Sequence, residues 1–298
     1  MDANVTAKFF RVIKPEAAAP NTDTLLKNLH AKDLTARSIA VDEGIVLRLE
    51  RLEAEPNYLS GEFCRIQKTN IPPTAGDDGL TPTVLEGGKG LGHLAAFRYH
   101  IPTQIILLQM NRLCATSNRI SLYLGLAENK PLYVLDPVLR ADVFKRMRHA
   151  EVRAFSVRIA EPQNLAALDD PSVSAMKIAR AAAKAFNARE IEIIVHAGIK
   201  KKKEKIRPRL LQMPVRKALA KLSKAGDDVK SLRAQIVEAN ETDWIDLLEE
   251  QIKLTEVLDL NSGNPEGNYQ ERKKFLINFF NANIEGLKEL YGPHDGGN

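Results

Sequence analysis

Cysteine is nearly absent from this chain of 298 residues: there are two, Cys64 and Cys114, fifty positions apart and in no CxxC spacing. That excludes a disulfide scaffold and a cysteine-rich zinc site, and it leaves buried free thiols as the expected state. Aromatic residues make up only 6% of the chain, with a single Trp, so a surface of stacked aromatic platforms is not available. The six histidines, His30, His93, His100, His149, His196 and His294, show no HxxxH or other local metal-ligand spacing, and each reads as a core or surface residue. Long apolar runs are missing too. The densest, Ile105 to Met110, is too short to span a bilayer, and the opening MDANVTAKFFRVIKPE has no apolar stretch of signal-peptide length. A soluble, cytoplasmic protein is the expectation.

Catalytic motifs are equally sparse. GxSxG does not occur, and no cysteine–histidine nucleophile arrangement is legible. GGKGLG at Gly87 to Gly92 has the glycine content of a phosphate-cradling loop but not the GxxxxGK[ST] spacing, and no typical strand leads into it. A turn accounts for it. The acid pairs Asp77-Asp78, Asp169-Asp170 and Glu249-Glu250 are candidate Mg²⁺ ligands of a nuclease, yet no PD...ExK-like hairpin surrounds them, and surface acids explain them as well. No metal, cofactor or small-molecule substrate is indicated.

What the chain does have is one concentrated block of positive charge. The run from Lys200 to Lys224, KKKKEKIRPRLLQMPVRKALAKLSK, contains Lys200, Lys201, Lys202, Lys203, Lys205, Arg207, Arg209, Arg216, Lys217, Lys221 and Lys224 against the single acid Glu204, a local net charge of 11 − 1 = +10. The whole chain is only 43 − 38 = +5, so everything outside the run sums to −5. Such a block suits a polyanion, because neutralising phosphates releases condensed counterions. Ile206, Leu210, Leu211, Val215, Leu219 and Leu222 interrupt it, which separates it from a solvated basic tail. It carries no C₂H₂ cysteines, RNP aromatics or zipper heptads. Without aromatics between 190 and 237, contact to duplex phosphates with little base reading is the expectation. Arg140, Lys145, Arg146, Arg148 and Arg153 form a weaker second patch.

Hydrophobic periodicity predicts a strand at Val5 to Ile13, a helix from Thr22 to Lys32 capped by Thr22 or Asn21, and a hairpin of Arg37–Asp42 with Gly44–Leu52 turning at Glu43-Gly44. A strand at Gly61 to Lys68 precedes a Gly/Pro-rich loop over 70–90. Two strands then meet near Ile101-Pro102, and a helix runs from Ser117 through Leu124. Asp136 and Pro137 are expected to cap and open a short helix to Arg148. Beyond it come strand Val152–Ile159, helix Ser172–Phe186 and strand Glu190–His196; then, past the basic block, a helix over Val215–Lys224 and strand Val229–Val237. Two amphipathic helices are expected to close the chain. The first, Trp244–Leu260, is capped at Thr242-Asp243 with Trp244 in the core, and the second is Tyr269–Tyr291. The fold class is α+β, with a mixed-sheet domain over 1–150 and a smaller basic α/β unit with the terminal helices over 151–298.

The strand ending IEIIVHAG, the Lys/Arg-rich segment, the strand with Ser231-Leu232-Arg233-Ala234 and the closing ERKKFLINFFNANIEGLKELYG together resemble, over about residues 150–292, the RexA-like phage-exclusion proteins of lambda-type prophages. The resemblance implies a cytoplasmic homodimer with a larger domain and a smaller swivelling one. It implies double-stranded DNA binding with little sequence preference, a sensor role upstream of a membrane effector, and no enzymatic activity. It also implies that Arg233 faces DNA, whereas the basic residue expected two positions later is Gln235 here. Two other classes fit the same basic face: a metal-dependent nuclease or nucleotide-processing effector with acids near the 70–90 loop, and an interaction module for an acidic partner or an anionic membrane surface.

Overall fold

A computed structural model of the chain describes residues 2–15, 17–42, 44–128, 133–143, 146, 151–160, 190–196, 229–238, 241–246, 249–261 and 263–292. Its elements run β1 (Asp2–Ile13), α1 (Thr22–Ala31), β2 (Ser38–Asp42), β3 (Ile45–Ala54), β4 (Tyr58–Gln67), β5 (Thr74–Gly76), β6 (Gly79–Thr81), β7 (Leu91–His100), β8 (Ile105–Met110) and α2 (Ser117–Ala127). They continue with β9 (Val134–Pro137), β10 (Glu151–Ala160), β11 (Glu190–His196), β12 (Val229–Glu238), β13 (Glu241–Asp246), β14 (Lys253–Asp259) and α3 (Pro265–Tyr291). This is an α+β fold. Its compact units are residues 1–134 together with 253–298, and residues 135–252, a division that differs from 1–150 and 151–298 because the closing helix belongs with the first sheet.

In the first unit an antiparallel sheet has the order β14-β1-β8-β7-β4-β3-β2. The β2–β3 hairpin turns at Gly44, whose φ of +68° is open to glycine at no steric cost. One sheet face is apolar. Leu25, Leu26 and Leu29 of α1 are buried, and Tyr123 of α2 meets Phe63 edge-on, with Phe63 stacked on Phe97. Tyr123 Oη accepts from the Leu49 N–H at 3.0 Å and donates to the Arg37 carbonyl at 2.8 Å, satisfying the polar tip of a buried ring. Thr116 caps α2 through the Arg119 N–H, and Cys64 and Cys114 are buried free thiols.

The opposite face is mixed, and α3 lies on it. Asn264 caps this helix at the Gly267 N–H with Pro265 in its first turn, four residues ahead of the expected start at Tyr269. Phe279 and Phe280 pack on Phe9, and Phe280 also meets Tyr58 and His100. Beside this apolar contact stands a set of charges. A register shift between Leu49 and Arg51 of β3 inserts one residue and turns Arg51 and Glu53 onto the helix side. There Arg51 bonds Glu266 and lies 4.4 Å from the Tyr269 ring centroid, and Lys273 bonds Glu53. Glu62 of β4 has no exposed surface, and its Oε1 accepts from Arg272 Nη2 at 2.5 Å. Its Oε2 has only Arg51 Nε at 3.5 Å and no hydrogen bond. Burial pushes the Glu62 carboxyl above its ordinary range, and the Arg272 and Arg51 guanidiniums pull it only part of the way back.

The second unit contains an antiparallel sheet in the order β11-β10-β12-β13. Phe155, Val157, Ala234, Ile236 and Ile245 are buried on one face.

Three expectations are corrected. The segment expected as a helix over Trp244–Leu260 is two strands, β13 and β14, with Thr242 and Asp243 inside β13. The spacing of Trp244, Leu247, Leu248, Ile252, Leu254 and Leu258 suits a helix, but β12 and β1 supply unpaired edges, and pairing with them satisfies the backbone and overrides local propensity. Asp136 and Pro137 end strand β9 and do not open the helix; among the described residues, 141–143 and 146 are helical. Within the 70–90 loop, β5 and β6 form a small exposed hairpin. The expected helices at Ser172–Phe186 and Val215–Lys224 lie outside the described residues.

Arg272→Met is expected to destabilise the protein by about 3–5 kcal/mol at pH 8, because it strands a buried carboxylate. Since the folded Glu62 pKa is raised, its stabilising contribution is complete below the unfolded value of about 4.3 and is lost as pH rises through the folded value. Removing Arg272 raises that folded value further. Urea denaturation should therefore show a smaller deficit at pH 4.5 than at pH 8, and a deficit independent of pH would show that Glu62 is not the group left unpaired.

Candidate nucleic-acid interface

Alternation along the strands of the second sheet sends one set of side chains inward and the other outward. The register aligns Ile194 with Ser156, Ser156 with Arg233, and Arg233 with Asp246 in one cross-strand row. In neighbouring rows Glu192 lies opposite Arg158, and Gln235 lies opposite Trp244. Ala154 and Ser156 are small and buried, while Glu192, Ile194, His196, Arg233 and Trp244 are exposed. This outward face offers two guanidiniums, an amide, an imidazole and an indole.

Each described arginine here already has a carboxylate. Arg233 Nε is 3.4 Å from Asp246 Oδ2, with the arginine side chain 50% exposed and the aspartate 14%. Arg158 approaches Glu192 at 3.9 Å, and Ser156 Oγ donates to the same carboxylate at 2.6 Å. A cleft of about 300 Å³ adjoins Arg233 and is also lined by Arg140, Arg146 and Trp244, with Asp142, Asp243, Asp246, Glu249 and Glu250. Arg140 bonds Glu250 at 2.5 Å and Arg146 bonds Asp243 at 2.9 Å. The hydrogen bond from Arg146 holds the Asp243 carboxyl below its ordinary range. Three arginines against five carboxylates make the cleft itself net negative. Such pairs pre-orient the guanidinium forks, whose planar geometry is compatible with a phosphate as well as with a carboxylate.

Topology ties the basic block to this sheet. β11 and β12 both run antiparallel to β10, so they are parallel to one another with β10 between them. Residues 197–228 connect the His196 end of the sheet, opposite Ala154, to its Val229 end, opposite Ile159. Of the expected contacts, only Arg233 is described: it is exposed on the outward face, next to Gln235 at the position where a second base was expected. Lys200, Lys201, Lys202, Lys203, Lys205, Arg207, Arg209, Arg216, Lys217, Lys221 and Lys224 lie outside the described residues. Trp244 is a correction: it is 39% exposed, on a strand and not in the core of a helix. The sequence signal that did point here is the weaker basic patch, two members of which, Arg140 and Arg146, line the cleft.

Among the described residues no group of three or more His, Cys, Asp or Glu side chains is arranged to hold a metal ion. Among them, too, no helix is long and apolar enough to cross a membrane. A family model, described as a family of unknown function (DUF6731), matches residues 19–284. No curated protein matches the chain.

The single Trp makes this face directly observable. Trp244 emission is expected to be red-shifted and quenched by acrylamide in the folded protein, and Arg233→Ala should change it while leaving the far-UV circular dichroism unchanged. A blue-shifted, quencher-resistant emission would show the indole to be enclosed.

Proposed function

We propose that this chain, which belongs to the DUF6731 family of unknown function, is a non-catalytic protein that binds double-stranded DNA largely without regard to sequence. One observation carries this reading: the +10 block is joined at both ends to strands flanking β10, in the sheet whose outward face bears Arg233 and Arg158. Contacts to phosphate fix position without reading sequence, and a segment rich in lysine and arginine with no aromatic residue between 190 and 237 has little with which to read bases. A role as the cytoplasmic, homodimeric sensor of a phage-exclusion system, acting on a membrane effector, rests on the RexA-like resemblance alone.

A second reading follows from Trp244. An exposed indole beside Gln235 and Arg233 suits stacking on an unpaired base, which favours single strands over duplex.

The test is anisotropy of labelled random-sequence duplex, and of the same sequence as a single strand, across a salt series. Duplex binding should weaken with salt. Replacing Lys200 to Lys203 by Ala should reduce the slope of log K against log salt by about 3.6, and Arg233→Ala by about 0.9, if each makes one phosphate contact. Unchanged affinity in both variants would overturn the proposal. Tighter single-strand binding that is lost in Trp244→Ala would replace it with the second reading. Plasmid incubated with Mg²⁺ or Mn²⁺ at high protein excess should remain intact, and cleavage would move the assignment to a nuclease.

A further inference from the structure

On the face of the first sheet that carries α3, the helix charges engage the row of Arg51 and Glu62, and the rows beyond lie open. Register sets Ser38, Arg48 and Cys64 side by side in one of them, and Val46, Ile66 and Gly92 in the next. A cysteine and a glycine thus stand where larger side chains would fill the surface. The result is a cleft of about 470 Å³, within the size range of small-molecule sites.

Its chemistry has two parts. The floor is Val46, Ile66 and Cys64, the last a thiol that burial pushes up to about 11 and so keeps neutral. The rim carries Arg48, Lys68 and Lys89 with the hydroxyl residues Thr35 and Ser38, and no described carboxylate lines the cleft. Arg48 pairs with Glu50 at 2.6 Å and Lys89 with Glu86, both carboxylates outside the lining. Lys68 has no ionic partner among the described residues. Lys89 belongs to GGKGLG, the glycine-rich segment that matches no nucleotide motif by spacing. Its geometry is nevertheless set: the Lys89 N–H closes a turn on the Glu86 carbonyl at 3.0 Å, and Gly88 has a φ of +82°. A Cβ on Gly90 would come within 2.7 Å of the Gln67 carbonyl oxygen and 2.9 Å of Ile66. Only glycine lets the segment lie this close to β4 and bring Lys89 to the rim.

The geometry points to a binding site for a small phosphomonoester, its phosphate held by Arg48, Lys68 and Lys89 and its flat or apolar body lying over Val46 and Ile66. Three cations with hydroxyls beside them match a dianion better than a single carboxylate, and the apolar floor gives the rest of the molecule a surface to cover. The site lies wholly in the first unit and is independent of the DNA-binding reading.

Calorimetric titration of the full chain with adenosine 5′-monophosphate, adenosine and inorganic phosphate tests it. The monophosphate should bind more tightly than either fragment. The Lys68→Ala/Lys89→Ala double variant, altered only at exposed rim side chains, should weaken it about tenfold or more, as expected for lost charge-assisted contacts. Gly92→Leu, which fills the cleft without changing charge, should abolish binding while the thermal midpoint stays near wild type. Arg233→Ala should leave monophosphate binding unchanged even if it impairs duplex binding. The inference is overturned if the monophosphate gives no binding at millimolar concentration. It is equally overturned if phosphate or adenosine alone binds as well, if the double variant binds normally, or if Arg233→Ala removes the signal.

Discussion

Glu62 occupies the middle of the first sheet with no exposed surface, and the cation that meets it, Arg272, comes from a helix 210 residues further along the chain. Apolar contact between α3 and the sheet, through Phe275, Phe280 and Leu287, supplies burial but little direction. A carboxylate that has lost its water accepts only a partner in the correct place. The Glu62–Arg272 pair, with Arg51–Glu266 on one side and Lys273–Glu53 on the other, therefore sets where along the sheet the helix lies. The register shift in β3 is part of the same device, because without its extra residue Arg51 and Glu53 would point to the apolar face.

That placement has a consequence on the rest of the face. A helix fixed by charges at Arg51 and Glu62 leaves the next rows uncovered, and those rows carry small side chains and an arginine instead of a continuous apolar stripe. The opposite face needs no such device: α1 and α2 cover it with leucines and with Tyr123, whose hydroxyl bonds to backbone. One sheet thus has a face closed by packing and a face closed only in part, by aromatic contacts and ion pairs, and the open part is a cleft with an apolar floor and a basic rim.

The sequence made much of this legible. Runs of β-branched and other apolar residues with partial alternation in β1, β10, β11 and β12, and the apolar runs of β7 and β8, were enough to identify those strands. The leucines of α1 and the aromatic spacing of the closing helix marked the helices. What it hid was of two kinds. In β4 the order Ser60, Gly61, Glu62, Phe63 reads as a strand with a wet side, and nothing local says that a distant helix covers Glu62. Between 241 and 259 the apolar spacing satisfies a helix, and the decision for strands comes from partners far away, β12 for one segment and β1 for the other. In the candidate interface Arg233 was singled out only through the RexA-like resemblance, and Trp244 becomes its neighbour only through the β12–β13 pairing.

The connectivity of the second sheet bears on what a +10 block can do. Had the block been a terminal tail, each phosphate contact would have to offset the ordering of a chain free at one end. Here the residues that bound the segment on both sides belong to strands that pair with β10, and a chain tethered at both ends has less freedom to lose than one tethered at a single end. Arg233 and Arg158 belong to that same sheet, each beside a carboxylate, Asp246 and Glu192. Under the proposed reading, non-specific capture by the block would supply most of the salt dependence, and the sheet a fixed orientation.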